Sequence, residues 1–171
     1  DFPAPDNKTV AAALAYTEKF LTRWRNDSLV VPAVAPHSAY TCSTDTLNRS
    51  RELATRFGVP LLIHLSETEE ENRQVREKQA ISPTAYLHRL GILKPRTLAA
   101  HGVWLSDTDI ALLKANGAGV AHCPSSNMKL ASGIAPVERL LRAGIAVGLG
   151  TDGVAGSNND LNMFEEMDLA A

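Results

Sequence analysis

Residues Ile145 to Asp152 read IAVGLGTD, and this stretch decides the fold. Residues two apart on a strand share a face, so Ile145, Val147 and Leu149 fall on one side and Ala146, Gly148, Gly150 and Asp152 on the other. The bulky side suits packing against helices. The side of small residues suits a crowded interior and leaves space around Asp152 for a metal and a substrate.

Four further apolar runs lie upstream: LVVPAVA (Leu29 to Ala35), PLLIHL (Pro60 to Leu65), TLAAH (Thr97 to His101) and AGVAHC (Ala118 to Cys123). Each is followed by a polar loop and a helical pattern, the signature of repeated βα units. The same alternation predicts Thr97, Ala99 and His101 on the inward face, together with Ala33, Ala35 and His37. Helix boundaries are readable from caps. Ser43 or Thr44 opens a helix that runs through Phe57 and stops at Gly58, and Ser106 with Asp109 opens one that runs through Ala115. Pro136 suits the first turn of another, ending at Gly144. Lys8 to Trp24 reads as an outer helix, and NDLNMFEEMDLAA begins a last one.

Alternating strands and helices without a Rossmann glycine fingerprint leave two architectures, a doubly wound sheet or a section of a (β/α)8 TIM barrel. A whole barrel needs about 250 residues. The chain of 171 residues is therefore expected to be an incomplete barrel, roughly its last five βα units. Residues 1–171 then form a single incomplete domain whose N-terminal strands and C-terminal end lie outside the sequence, in keeping with a start at Asp1 instead of Met. Open strand edges and an apolar inner surface would favour association into a homo-oligomer, or aggregation.

Composition narrows the partners. The formal charge of −2 is spread over mixed-sign segments, with no basic stripe for nucleic acid and no polybasic patch for a membrane surface. Cys42 and Cys123 are too few for a disulfide framework and lack CxxC spacing, which points to a reducing, cytoplasmic compartment. No apolar run approaches the roughly 18 residues of a membrane span. A small molecule is the expected partner.

Reactive residue types recur at the C-terminal ends of the runs, where barrel enzymes keep their active sites. IHLSET places His64 at a strand end and Glu67 in the loop beyond it; AAHG ends on His101, GLGTDG carries Asp152, and His37 follows the first run. Taken singly, each has a plainer reading: a structural histidine, a turn-forming aspartate, a loop-ordering His37. Their coincidence at strand ends favours chemistry. Imidazoles and a carboxylate are the usual ligands of catalytic zinc or iron. Such an ion lowers the pKa of bound water from 15.7 to about 7, and a nearby carboxylate such as Glu67 can shuttle a proton. His88 reads as solvated, His122 as loop-ordering, and ETEEENRQVREK as a solvated face of mixed charge.

The segments APHSAYTCS, PLLIHLSETEEE, LAAHGVWL, HCPSSNMKLASGIAPV and GLGTDGVAGSNNDLNMFEEM run through nearly the whole chain. With them the sequence resembles the amidohydrolase superfamily, in its methylthioadenosine/S-adenosylhomocysteine deaminase branch, close to the triazine hydrolases. The resemblance implies a distorted (β/α)8 barrel with one divalent metal, zinc before iron. It gives His64 and Asp152 the role of metal ligands. Glu67 is implied to protonate a ring nitrogen, His101 to orient the attacking water, Asp152 to accept its proton, and His37 to contact the substrate. The implied reaction is hydrolytic deamination of an aminopurine nucleoside thioether by metal-bound hydroxide, releasing ammonia. Hydrolysis of chloro- or amino-triazines is the related alternative, and a non-catalytic barrel fragment the alternative of another class. The family's HxH pair, which supplies two further ligands, does not occur in these 171 residues, so the chain alone is expected to be inactive.

Overall fold

A computed structural model describes Asp1, residues 5–94 and residues 96–171. Its elements, in chain order, are α1 (Val10–Trp24), α2 (Thr44–Phe57), β1 (Leu61–Leu65), α3 (Glu69–Gln79), α4 (Pro83–Arg89), β2 (Thr97–His101), α5 (Asp107–Asn116), β3 (Gly119–His122), α6 (Pro124–Lys129), α7 (Val137–Arg142), β4 (Val147–Leu149) and α8 (Met163–Leu169). Helix ends follow local hydrogen bonding. The Ser43 hydroxyl accepts from the Thr46 N–H and opens α2, and Gly58, at φ 65°, closes it in a left-handed conformation that costs glycine little. Ser106 and Asp109 form a reciprocal capping box at the start of α5.

The four strands form one parallel sheet in the order β1-β2-β3-β4, with Leu65 opposite His101, Ala99 opposite Val120 and His122 opposite Leu149. The expected strand over Leu29 to Ala35 is reduced to a bridge between Val34 and Leu61, with a second bridge from Ser38 to His64. Pro32 and Pro36 carry no N–H to donate, which cuts the ladder to β1 on either side of Val34, and Leu29 and Val31 stand 92% and 75% exposed.

One face of the sheet is covered. Leu61, Ile63 and Leu65 of β1, Ala99 of β2 and Val120 of β3 join Leu47, Leu53, Leu87, Leu113 and Leu140 of the helices in a single apolar core. The opposite face carries Leu62 and Leu98, more than a third exposed, and a Cβ placed on Gly119 would lie 3.6 Å from Leu98. This corrects the expectation for β2: Thr97 and Ala99 point to the buried helical layer, whereas Leu98 and Ala100 line the open face. The reading of the last strand holds, since Ile145 and Val147 pack in the core and Gly148 is exposed.

Replacing the fully buried Leu113 by Ala removes atoms from the centre of this core and is expected to destabilise the protein by about 2–5 kcal/mol in denaturant unfolding. Leu141→Ala, at a side chain 56% exposed, should stay within about 0.5 kcal/mol of the parent.

Candidate metal centre

The site is built where three strand-end segments leave the sheet through left-handed backbone: Ser66 at φ 49°, His101 at φ 73° and Asp152 at φ 58°. Residues other than glycine rarely adopt this region, and such turns concentrate at functional sites. At His101 the turn overrides strand alternation. It swings the imidazole to the open end of the sheet, though the two residues before it on the same nominal face are packed against helices.

His64 projects from the open face of β1. Its Nδ1 lies 2.8 Å from the His37 carbonyl oxygen, which can only accept, so Nδ1 carries the proton and Nε2 presents a lone pair. That Nε2 stands 3.8 Å from Asp152 Oδ1. The ring of His101 stacks on that of His64 with centroids 5.3 Å apart, and its buried Nε2 has no hydrogen-bond partner among the described residues. It lies 3.8 Å from Glu67 Oε2 and 3.9 Å from Asp152 Oδ2. His37 sits at the edge, its ring centroid 4.7 Å from that of His64 and its Nδ1 2.8 Å from Thr41 Oγ1.

Donor atoms of His64, His101 and Asp152 all lie within 4.8 Å of one another. Two imidazoles and a carboxylate are a donor set for zinc or iron. Two local features fit such an ion. The His37 carbonyl presets the tautomer of His64 in the manner of an outer-sphere partner, and the orphaned His101 Nε2 needs an acceptor of its lone pair. Asp152 is held ionised. Burial raises its pKa, but hydrogen bonds from the Ser126 and Ser157 hydroxyls and from the Gly153 N–H outweigh this and leave it below the usual carboxylate value. The structure thus brings together His64, Glu67, His101 and Asp152, with His37 alongside.

Two buried acids absent from the sequence-level candidates support these groups. Glu71, 1% exposed, accepts from the Ser66 N–H at 3.0 Å and the Glu67 N–H at 2.8 Å, tying α3 to the turn that aims Glu67. It falls within the run expected to be a solvated face; Glu70, Arg73 and Glu77 do pair in solvent, but Glu71 points inward. The spacing Thr68-x-x-Glu71 was a usable signal, because Thr68 caps α3 by accepting from the Glu71 N–H. Glu166 accepts from the Ser125 N–H and from Asn158 Nδ2, pinning the loop beyond Asp152. His88 is exposed as expected, while His122 Nδ1 is buried and makes no loop-ordering hydrogen bond among the described residues.

The sequence profile of the amidohydrolase family matches residues 2–171. The chain is 51% identical over its full length to a 5-methylthioadenosine/S-adenosylhomocysteine deaminase of Syntrophus aciditrophicus, of which it covers 38%. It is 52% identical over 90% of its length to a 5'-deoxyadenosine deaminase of Methanothrix thermoacetophila, of which it covers 37%. A zinc-bound adenosine deaminase of Xanthomonas campestris superposes on 99% of the chain with a TM-score of 0.94 and 38% identity, the chain covering 38% of that structure. A triazine hydrolase, the atrazine chlorohydrolase of Arthrobacter aurescens, shares the fold at a TM-score of 0.79 and 20% identity over 89% of the chain, which covers 34% of it. The chain therefore spans less than half the length of these relatives, and the sheet with its helices is a section of their barrel.

Burial pushes the Glu71 carboxyl up to about 7, against the pull of its two N–H donors. The folded protein then keeps this proton to a higher pH than the unfolded chain. Its contribution to stability is present in full below pH about 4.5 and is lost as pH rises to about 7. In Glu71→Gln, which cannot ionise, that slope should vanish, so the stability advantage of the parent over the variant should be larger at pH 5 than at pH 7.5 in parallel unfolding titrations.

Proposed function

Since the chain belongs to the amidohydrolase family, we propose that the protein of which residues 1–171 form part of one barrel domain is a metal-dependent hydrolytic deaminase. Its substrate is an aminopurine nucleoside thioether of the S-adenosylhomocysteine or methylthioadenosine type. The observation that carries this reading is the convergence of His64, His101 and Asp152 at 4.8 Å or less, with Glu67 beside them. The substrate class is supported by relatives at 51% and 52% identity that bear the names of purine nucleoside deaminases.

His64 and Asp152 would hold the divalent ion, zinc before iron, with the remaining ligands coming from other parts of the whole protein. The ion supplies Lewis acidity that brings the pKa of a water down to about 7. The chain's own groups handle the protons. Asp152, ionised through its hydrogen bonds to Ser126, Ser157 and Gly153, accepts a proton from the attacking water. Glu67 delivers one to the ring nitrogen next to the amino-bearing carbon, so that charge does not build on the ring as aromaticity is lost. His101, between the two carboxylates, orients the water. The water oxygen bonds to the ring carbon, the carbon–amine bond breaks, and the amine departs as ammonia with the proton that Asp152 received, while the remaining hydroxyl proton returns to Glu67 as the ring carbonyl forms. His37, on the open side of His64, contacts the purine.

Hydrolysis of triazines would use the same groups. Ring protonation by Glu67 suits an aminopurine, and the likeness to the triazine enzyme at 20% identity speaks for fold alone.

In the whole protein, ammonia release from S-adenosylhomocysteine, methylthioadenosine and 5'-deoxyadenosine is expected, with none from an aminotriazine. Glu67→Gln should lower kcat by roughly 10²–10⁴. Asp152→Asn should lose both turnover and bound metal, and chelation should abolish turnover reversibly on adding zinc. Turnover of the triazine with every purine left intact would sink this reading.

A further inference from the structure

Three polar side chains on one short stretch are almost wholly buried and lie within seven residues of one another: Ser126 at 0%, Asn127 at 2% and Ser132 at 4% exposure. Each ends on a different reacting group. The Ser126 hydroxyl donates to Asp152 Oδ2 at 2.8 Å, Asn127 Oδ1 lies 3.0 Å from His101 Nδ1, and the Ser132 hydroxyl donates to Glu67 Oε1 at 3.4 Å. Burying polar groups is costly unless they are satisfied; here the proton-handling side chains satisfy both serine hydroxyls and Asn127 Oδ1, while Asn127 Nδ2 has no partner among the described residues.

The backbone that carries them is braced. The Asn127 N–H donates to the Cys123 carbonyl at 2.9 Å, and the Ser132 N–H donates to the Asn127 carbonyl at 2.8 Å, so the two ends of the segment hold each other. The indole N–H of Trp104 donates to the Ser132 carbonyl at 2.7 Å. Trp104 follows β2 by three residues, which links the segment to the strand that delivers His101. Glu166 fixes the near end of the segment through the Ser125 N–H.

We propose that the segment Ser126 to Ser132 is a positioning device that sets three reacting groups at once. Ser126 orients the Asp152 carboxylate. Asn127, by accepting from Nδ1, holds His101 in the tautomer whose Nε2 lone pair faces Glu67 and Asp152. Ser132 holds the nearer oxygen of Glu67. These residues act through their neighbours and need not touch the substrate. Because all three lie on one short stretch, a displacement of the segment would misalign acid, base and water-orienting group together. The catalytic consequence rests on the deaminase reading, while the tautomer of His101 does not.

The test uses the whole protein, with histidine labelled with 15N, and the variants Asn127→Leu and Asn127→Asp. Nitrogen shifts report the tautomer of His101 directly. The parent should show Nδ1–H, Asn127→Leu should lose that preference, and Asn127→Asp, which keeps the acceptor, should retain it. For ammonia release from S-adenosylhomocysteine, Asn127→Leu should lower kcat roughly 10- to 100-fold with KM little changed, as loss of an outer-sphere partner typically does. Asn127→Asp should recover most of it. On a His101→Asn background, Asn127→Leu should cost nothing more, since its effect passes through His101.

An Nε2–H tautomer in the parent, an unchanged kcat in folded Asn127→Leu, or the same loss on the His101→Asn background would each overturn the proposal. Should Asn127→Leu fail to fold, Ser126→Ala, which removes one oxygen, carries the same kcat expectation and the same refutation. A parent that releases no ammonia from any purine, yet shows the Nδ1–H tautomer and its loss in Asn127→Leu, would end the deaminase reading and leave the positioning role standing.

Discussion

Parallel pairing of β1 with β2 is the constraint on which the rest of the molecule depends. Parallel strands run the same way, so their C-terminal ends emerge at one edge of the sheet, and the register of Leu65 opposite His101 brings those ends level. The pairing of His122 with Leu149 does the same at the other side. Chemistry scattered over nearly ninety residues, from His64 to Asp152, thereby meets in a volume a few ångströms across. An antiparallel arrangement would have sent neighbouring strand ends to opposite edges.

Level strand ends bring the segments together but do not aim the side chains. Aiming is done by left-handed turns at Ser66, His101 and Asp152, and such turns persist only when surrounding contacts over-determine them. At Ser66 and beyond Asp152 two buried acids supply such contacts. Glu71 holds the backbone N–H groups of Ser66 and Glu67, and Glu166 ties Ser125 to Asn158 on the loop beyond Asp152. Burying a carboxylate opposes ionisation, and at Glu71 that cost shows as a raised pKa. A core built for stability alone would place apolar residues there.

Much of this was legible in the chain. The alternation in IAVGLGTD assigned Asp152 to the open face, and the caps at Ser43, Gly58 and Ser106 marked helix ends where the structure has them. Apolar runs ending in His or Asp located the strand ends. Other features were not legible, each for a local reason. LVVPAVA has the composition of a strand, but its prolines withdraw N–H donors, and only Val34 bridges to β1. The face of β2 was misassigned because alternation assumes extended backbone through His101, and the backbone turns there. Glu71 was hidden in a run of charges whose neighbours are solvated, since composition does not reveal which member of a helix faces inward.

The sequence by itself determined the alternation of strands and helices and the residue types at the strand ends, because periodicity and capping are properties of neighbours a few residues apart. Only the tertiary structure decided that His101 enters the site through a left-handed turn and that its Nε2 lies 3.8 Å from Glu67. It alone decided that Glu71 is buried and that Ser126, Asn127 and Ser132 reach Asp152, His101 and Glu67 in turn. These depend on backbone turns and on contacts between segments distant in the chain, and no local pattern encodes the distance between two side chains that meet only when the sheet forms.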